Sequence, residues 1–78
     1  MKVIIYSTPS CVYCKMAKEY FKQNKIEYQE YDVASDLNAR NDMLKKSHQM
    51  GVPVIDINGE IIVGFNRSAI DRALGLKK

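Results

Sequence analysis

The chain has 78 residues, 46% hydrophobic and 27% charged, and its 12 basic and 9 acidic residues give a formal net charge of +3. A chain of this length buries only about 60% of its unfolded surface and supports one core, so we expect a single domain over residues 1–78. Its apolar runs are far shorter than a membrane-spanning helix of roughly 20 residues or a secretory signal, and its basic residues form no block; we expect a cytoplasmic protein without a membrane or nucleic-acid partner.

The first predicted strand and helix lie on either side of a short loop. Residues 2–7 are rich in β-branched side chains and are followed by a turn at Pro9, which predicts a buried strand. Apolar residues then recur at spacings of three and four, which predicts one face of a helix that ends at about Asn24. The residues of this face are Tyr13, Met16, Ala17, Tyr20 and Phe21.

The middle of the chain predicts a strand and a thinly apolar helix. Residues 27–33 alternate between tyrosine and acidic side chains, which indicates a second strand. Ser35 or Asp36 can cap a second helix that ends at about Ser47. We expect this helix to be half exposed, because its apolar stripe contains only Leu37, Met43 and Leu44.

The last third of the chain predicts a hairpin and a short helix. Residues 54–57 and 60–63 flank Asn58-Gly59, a pair that supplies the positive φ angles of a two-residue hairpin turn. Asn66 can cap the final helix, whose apolar residues are Phe65, Ala69, Ile70, Ala73 and Leu74. The order β-α-β-α-β-β-α predicts an α/β fold with a four-stranded mixed sheet flanked by three helices.

Cys11 and Cys14 are the two cysteines of the chain, and they lie where the first strand leads into the first helix. Residues three apart on a helix have Cβ atoms about 5–6 Å apart, close to the roughly 4 Å of a disulfide, so the pair can open and close locally. The unpaired amides at a helix N-terminus favour a thiolate, the form that attacks disulfides. We therefore predict that Cys11 attacks and that Cys14, one turn further on, resolves the mixed disulfide.

The cysteine pair has three other possible interpretations. A structural disulfide across four residues would stabilise the fold by only about 2 kcal/mol, and a reducing cytosol would keep it open. A zinc site needs four ligands, and His48 is the other soft ligand of the chain, although a dimer could share two cysteine pairs. Two unrelated helix cysteines would not explain the strand-turn-helix context.

With these residues in place, the chain resembles a glutaredoxin over essentially its whole length. The resemblance implies a thioredoxin-like fold, an attacking Cys11, a second thiol at Cys14, and Tyr13 beside the substrate groove. It also implies a cis Val52-Pro53 bond next to the cysteines, with the Val52 backbone open to an extended substrate as an added strand. The segments that carry the resemblance are Ile5-Tyr6-Ser7-Thr8-Pro9-Ser10-Cys11-Val12-Tyr13-Cys14, the helix ending at Ser47, Gly51-Val52-Pro53, and Val63-Gly64-Phe65-Asn66.

The resemblance further implies that glutathione is a co-substrate, with no tightly bound cofactor or metal and with disulfide-bearing proteins as partners of a monomer. Glutathione carries two carboxylates and one ammonium, so its site needs a cation and backbone donors. By the family pattern, Arg40 would bind the glycyl carboxylate. Taken alone, Arg40 is better explained as an ordinary charge on a helix surface. The γ-glutamyl end would be held by Gly64, Phe65, Asn66 and Arg67.

Several positions differ from typical glutaredoxins. Typical members have Pro at Val12, Lys at Thr8, Thr at Gly51, Gly at Val63, and Asp at both Asn66 and Arg67. Val12 and the Gly64-Phe65 pair are similar instead to redoxins that serve ribonucleotide reductase and are recharged by thioredoxin reductase, which gives an alternative electron donor. A dimer that binds zinc or an iron–sulfur cluster is a further alternative, disfavoured by the bulk of Val12 and Tyr13 beside the sulfurs.

Overall fold

The computed structural model of the protein describes residues 2–76. The elements follow the predicted order β-α-β-α-β-β-α, which confirms the expected fold class. Along the chain they are β1 (Val3–Ser7), α1 (Val12–Gln23), β2 (Gln29–Asp32), α2 (Leu37–Ser47), β3 (Val54–Ile57), β4 (Glu60–Val63) and α3 (Arg67–Leu74).

The four strands form one mixed sheet in the order β2-β1-β3-β4. β1 runs parallel to β2, with Ile5 opposite Glu30, because α1 crosses over the sheet between them. β3 is antiparallel to both β1 and β4. The β3–β4 turn has φ angles of 51° at Asn58 and 94° at Gly59, as the two-residue hairpin requires.

Each face of the sheet carries its own apolar cluster. Because successive strand residues point to opposite faces, Ile5 packs on one side and Tyr6 on the other. α1 and α3 cover the first face, where Ala17, Phe21 and Ile70 are fully buried. α2 covers the second face. Within residues 2–76, none of the helices has the length and apolar character that crossing a membrane demands.

A polar or sulfur-bearing side chain caps the N-terminus of each helix. Asp36 accepts a hydrogen bond from the Ala39 amide at 3.0 Å, which settles the choice between Ser35 and Asp36 at the start of α2. Asn66 caps α3 in the same way, as predicted. Cys11 occupies this position at the start of α1.

Two predicted apolar faces are confirmed only in part. Tyr13 and Met16 are 61% and 45% exposed, because the row of α1 that faces the sheet is the one through Cys14, Ala17 and Phe21. Ala17 and Phe21 belong to the predicted face and are buried, whereas Tyr13 and Met16 were placed on it wrongly. Leu37 is 68% exposed, since α2 packs through Ala39 and Met43 instead.

The second strand is shorter than predicted, at Gln29–Asp32 rather than 27–33. The chain leaves α1 through Lys25 at a φ of 57°, and the Ile26 amide donates to the Phe21 carbonyl at 2.8 Å. Tyr28 then packs its ring against Phe21, with 5.5 Å between centroids. This segment is therefore tied to the end of α1 before pairing with β1 begins.

Candidate active site

The loop between β1 and α1 places the Cys11 sulfur over the first turn of α1. Cys11 has extended backbone angles, and its amide donates to the Thr8 carbonyl at 3.3 Å. The Cys14 amide donates to the Cys11 sulfur at 3.1 Å. This amide is one of those that a helix leaves unpaired at its start, so it stabilises negative charge on the sulfur. The predicted location of Cys11 at the helix start is confirmed.

The two cysteines, both free thiols, have different environments. Cys11 is half-buried at the surface, whereas Cys14 is completely buried beneath it. Burial raises the pKa of Cys14 to about 12, and the side-chain hydrogen bond with Cys11 acts in the same direction. The Cys14 thiol therefore stays protonated near neutral pH, which leaves Cys11 as the sulfur able to attack first.

The Val52-Pro53 bond is cis, as the resemblance implies, and it lies directly beside Cys11. The Cys11 sulfur is 3.9 Å from the Val52 carbonyl oxygen. Within residues 2–76 the Val52 amide has no hydrogen-bond partner. The Gly64 amide donates to the Pro53 carbonyl at 2.8 Å, which holds the end of β4 against the same turn. An unpaired backbone next to a thiol can accept an extended peptide as an added strand.

A pocket of about 240 Å³ opens on the α2 side of Val52. Arg40 lines it, and its guanidinium lies 3.8 Å from the Met50 sulfur. Over the described residues, 2–76, this guanidinium forms no salt bridge. The pocket thus combines a cation with the open backbone of Val52, as a carboxylate subsite requires. Its lining residues are Thr8, Val33, Ala34, Arg40, Met43, Met50 and Val52.

The residues predicted for the γ-glutamyl end are partly engaged in the fold. The Asn66 side-chain oxygen accepts from the Ala69 amide at 3.1 Å as the α3 cap. The Arg67 guanidinium lies over the Tyr20 ring, 4.8 Å from its centroid. The ring of Phe65 meets Tyr20 edge-on. The structure therefore keeps Gly64 next to Pro53 but directs Arg67 towards α1.

Tyr20 also joins α1 to α3 through a hydroxyl that donates to the Asp71 carboxylate. Asp71 is buried, and this hydrogen bond raises the pKa of Tyr20. The Tyr20 hydroxyl is therefore a structural donor, which helps to explain why it faces α3 rather than solvent. Sequence reasoning assigned Tyr20 to the apolar face and did not foresee this role.

A charged group near Cys14 was missed by sequence reasoning. Lys18 donates to the Glu30 carboxylate at 2.8 Å, and the same oxygen accepts from the Ser7 hydroxyl at 2.7 Å. The hydrogen bond from Lys18 lowers the pKa of Glu30, and the same contact raises that of Lys18. The four-residue spacing of Cys14 and Lys18 was visible in the sequence, but the strand pairing that brings Glu30 to them was not.

The described part of the chain contains no cluster of three or more His, Cys, Asp or Glu side chains able to hold a metal. His48, named above as a soft ligand, is the residue that ends α2, in a left-handed conformation. Cys11 and Cys14 therefore supply two ligands at most from these elements, and a four-ligand site would need a second chain.

Comparisons with known proteins agree with this geometry. The glutaredoxin family model matches residues 3–62. An uncharacterized glutaredoxin-like 8.6 kDa protein in the rubredoxin operon of Clostridium pasteurianum is 50% identical over 70 residues, covering 90% of this chain and 93% of that protein. Glutaredoxin 3 of Escherichia coli K12 is 32% identical over 62 residues, covering 80% of this chain and 75% of the relative. A crystal structure of a mutant of the thioredoxin-like protein BC3987 superposes with a TM-score of 0.91 at 33% identity, covering 97% of each chain.

Proposed function

The chain belongs to the glutaredoxin family of thiol–disulfide oxidoreductases, and on this premise we propose that it reduces disulfides of proteins and glutathione mixed disulfides by a dithiol mechanism. The Cys11 thiolate attacks one sulfur of the substrate disulfide and releases the other as a thiolate. Cys14 then attacks the Cys11 sulfur, which frees the second substrate thiol and leaves a Cys11–Cys14 disulfide. Two electrons pass from the dithiol to the substrate.

One observation carries this proposal. The Cys14 amide donates to the Cys11 sulfur at 3.1 Å, and the same thiol donates to the carbonyl of Val52 at 3.9 Å, while the Val52 amide is unpaired within residues 2–76. The first contact favours the attacking thiolate. The second would align an extended substrate whose disulfide meets that thiolate. The groups that favour attack by the thiolate and the groups that align the substrate thus lie close together, next to the end of β1.

For the electron donor, we propose glutathione. Two glutathione thiols would reduce the Cys11–Cys14 disulfide and leave as glutathione disulfide. The support is the Arg40 guanidinium, which forms no salt bridge among residues 2–76 and shares a pocket with Val52. A carboxylate of the tripeptide can pair there while its backbone pairs with Val52.

A flavoprotein of the thioredoxin reductase class is the second candidate donor, and ribonucleotide reductase would then be a candidate acceptor. The observation that favours it is the engagement of Asn66 in the α3 cap and of Arg67 over Tyr20. With these groups engaged, the γ-glutamyl end of glutathione has fewer polar partners. A protein donor docks through a wider surface and does not need them.

Trapping the covalent intermediate tests the mechanism. The Cys14→Ser variant, mixed with a protein substrate that carries a disulfide, should accumulate a mixed disulfide between Cys11 and that substrate. The adduct is detected by mass spectrometry in the absence of reductant. The Cys11→Ser variant is the matched control and should accumulate none. Adduct at Cys14, or no adduct in either variant, would reject the proposal.

The donor is tested separately with the oxidised wild-type protein. Its rate of reduction is compared between glutathione with glutathione reductase and NADPH, and thioredoxin reductase with NADPH. The proposal predicts the faster rate with glutathione. A rate that is measurable only with thioredoxin reductase would replace glutathione by the second candidate and leave the dithiol mechanism intact.

A further inference from the structure

Lys18 lies one helical turn after the resolving thiol, on the side of α1 that faces the sheet edge. Residues four apart on a helix have neighbouring side chains, with Cβ atoms about 5–6 Å apart. The Lys18 ammonium donates to the Glu30 carboxylate at 2.8 Å, and the Lys18 side chain is only 24% exposed. A positive charge is therefore held beside Cys14 instead of moving freely in solvent.

The partner of Lys18 is itself fixed by the sheet. The Glu30 oxygen that binds Lys18 also accepts from the Ser7 hydroxyl at 2.7 Å. Ser7 is the buried last residue of β1, and β2 pairs with β1 in a register that aligns Ile5 with Glu30. β1 and β2 thus fix the position of the Lys18 ammonium, although Lys18 itself belongs to α1.

The buried thiol needs such a charge. Cys14 must lose a proton before it can attack, and burial opposes this by raising its pKa. Besides burial, the pKa of Cys14 responds to the Cys11 side chain, to the backbone of Thr8 and, most weakly, to the charge of Lys18. Lys18 is the one full positive charge among them, and its charge acts to lower the pKa of Cys14.

We propose that Lys18 is a positioning residue for the resolving step, with its ammonium stabilising the Cys14 thiolate while Glu30 and Ser7 hold that ammonium in place. The inference rests on the dithiol mechanism proposed above. In the step concerned, Cys14 gives its proton to solvent and attacks the Cys11 sulfur. The Cys11–Cys14 bond forms, the bond from Cys11 to the substrate sulfur breaks, and the substrate leaves as a thiolate with the electron pair.

A coloured aromatic disulfide, dithiobis(nitrobenzoate), separates the two steps. It releases one nitrothiobenzoate when Cys11 attacks and a second when Cys14 resolves, so stopped-flow absorbance shows two phases. The Lys18→Met variant should slow the second phase at least about twofold at pH 7, equivalent to about 0.3 pKa unit at Cys14, and leave the first phase unchanged. Lys22→Met, which removes a charge from the same helix one turn further from Cys14, is the matched control and should change neither phase.

Two further readouts separate an electrostatic role from a structural one. Lys18→Arg keeps the charge and should restore the second phase, and added salt should reduce the difference between wild type and Lys18→Met. The double variant Lys18→Met/Glu30→Gln should remain slow. Recovery of the wild-type rate in this double variant would mean that Lys18 merely neutralises Glu30, and would overturn the proposal.

The failures of the two proposals can be told apart. A wild-type protein that releases nitrothiobenzoate in the first phase alone has no resolving thiol, and this result would reject the dithiol mechanism. A wild-type protein with both phases, in which Lys18→Met changes neither, would reject only the role of Lys18. Thermal unfolding of each variant confirms that the compared proteins are folded.

Discussion

The attacking thiol doubles as the N-cap of α1, so its replacement should change stability in a way that depends on the new side chain. In the structure the Cys11 sulfur accepts from the Cys14 amide at 3.1 Å. Serine keeps an acceptor at this position and alanine does not. Loss of an N-cap acceptor costs about 0.5–2 kcal/mol, typically about 1. For a domain of 78 residues, a loss of this size lowers the Tm by roughly 4–8 °C.

The assay is thermal unfolding of the reduced Cys11→Ala and Cys11→Ser proteins, followed by circular dichroism. Neither variant can form the Cys11–Cys14 disulfide, so the difference between them reports the cap and not the redox state. Asn66→Ala removes the side-chain oxygen that accepts from the Ala69 amide at 3.1 Å at the start of α3. This variant is a matched loss of an N-cap acceptor away from the cysteines. We expect Cys11→Ala to unfold several degrees below Cys11→Ser. Equal Tm values for the two, alongside a destabilised Asn66→Ala, would show that the sulfur does not cap α1.

Three more predictions address charge, donor and metal. Burial alone would raise the pKa of Asp56, but its hydrogen bonds with Lys46 and the Gly59 amide lower it. A lowered pKa in the folded protein means that ionised Asp56 stabilises the fold. This stabilisation is complete above the ordinary pKa of Asp, about 4, and is lost as the pH falls through the lowered pKa of Asp56. Lys46→Met should therefore lower the free energy of unfolding in urea by about 1–2 kcal/mol at pH 7, with a difference that narrows as the pH falls below about 4; a deficit that stays the same across the whole acid range would contradict it. Arg40→Gln should raise the KM for glutathione about tenfold with little change in kcat, corresponding to about 1.4 kcal/mol of uniform binding, and an unchanged KM would remove Arg40 from the site. Protein purified anaerobically should be a monomer without stoichiometric zinc or iron. A metal-loaded dimer would instead support the alternative of a dimer that binds zinc or an iron–sulfur cluster.

Local chemistry explains why several features were predictable. Asn58-Gly59 adopts positive φ angles with little strain, which sets the hairpin of β3 and β4 residue by residue. Asn66 carries a short acceptor that suits an N-cap, and it occupies that position. The cis Val52-Pro53 bond was a different case, because it followed from the family resemblance and not from the residues alone.

The features that were missed depend on how elements pack against one another. Periodicity identified α1 as a helix with Ala17 and Phe21 on its buried face, but it did not show that Tyr13 and Met16 are exposed. Helix spacing places Lys18 near Cys14, yet the contact with Glu30 requires the register between β1 and β2. The register depends on pairing between segments that are distant in the sequence, so the local residue pattern does not reveal it.

A similar limit applies to the pocket around Arg40. Its walls come from four separate parts of the chain, so no local sequence signal describes it. The stacking of Arg67 on Tyr20 is likewise a contact between two helices. The sequence could therefore suggest these residues as candidates for a binding site, whereas the structure shows which of them are free to contact a ligand.

In the proposed mechanism the Cys11 sulfur is the reactive one, and alkylation measures this directly. The reduced wild-type protein is treated at pH 7 with less than one equivalent of iodoacetamide, and the modified cysteine is identified by peptide mass spectrometry. We expect modification at Cys11 with Cys14 unmodified, and a faster reaction than in the urea-unfolded chain at the same pH. Equal modification of both cysteines, or a Cys11 that reacts no faster in the folded protein than in the unfolded one, would contradict it.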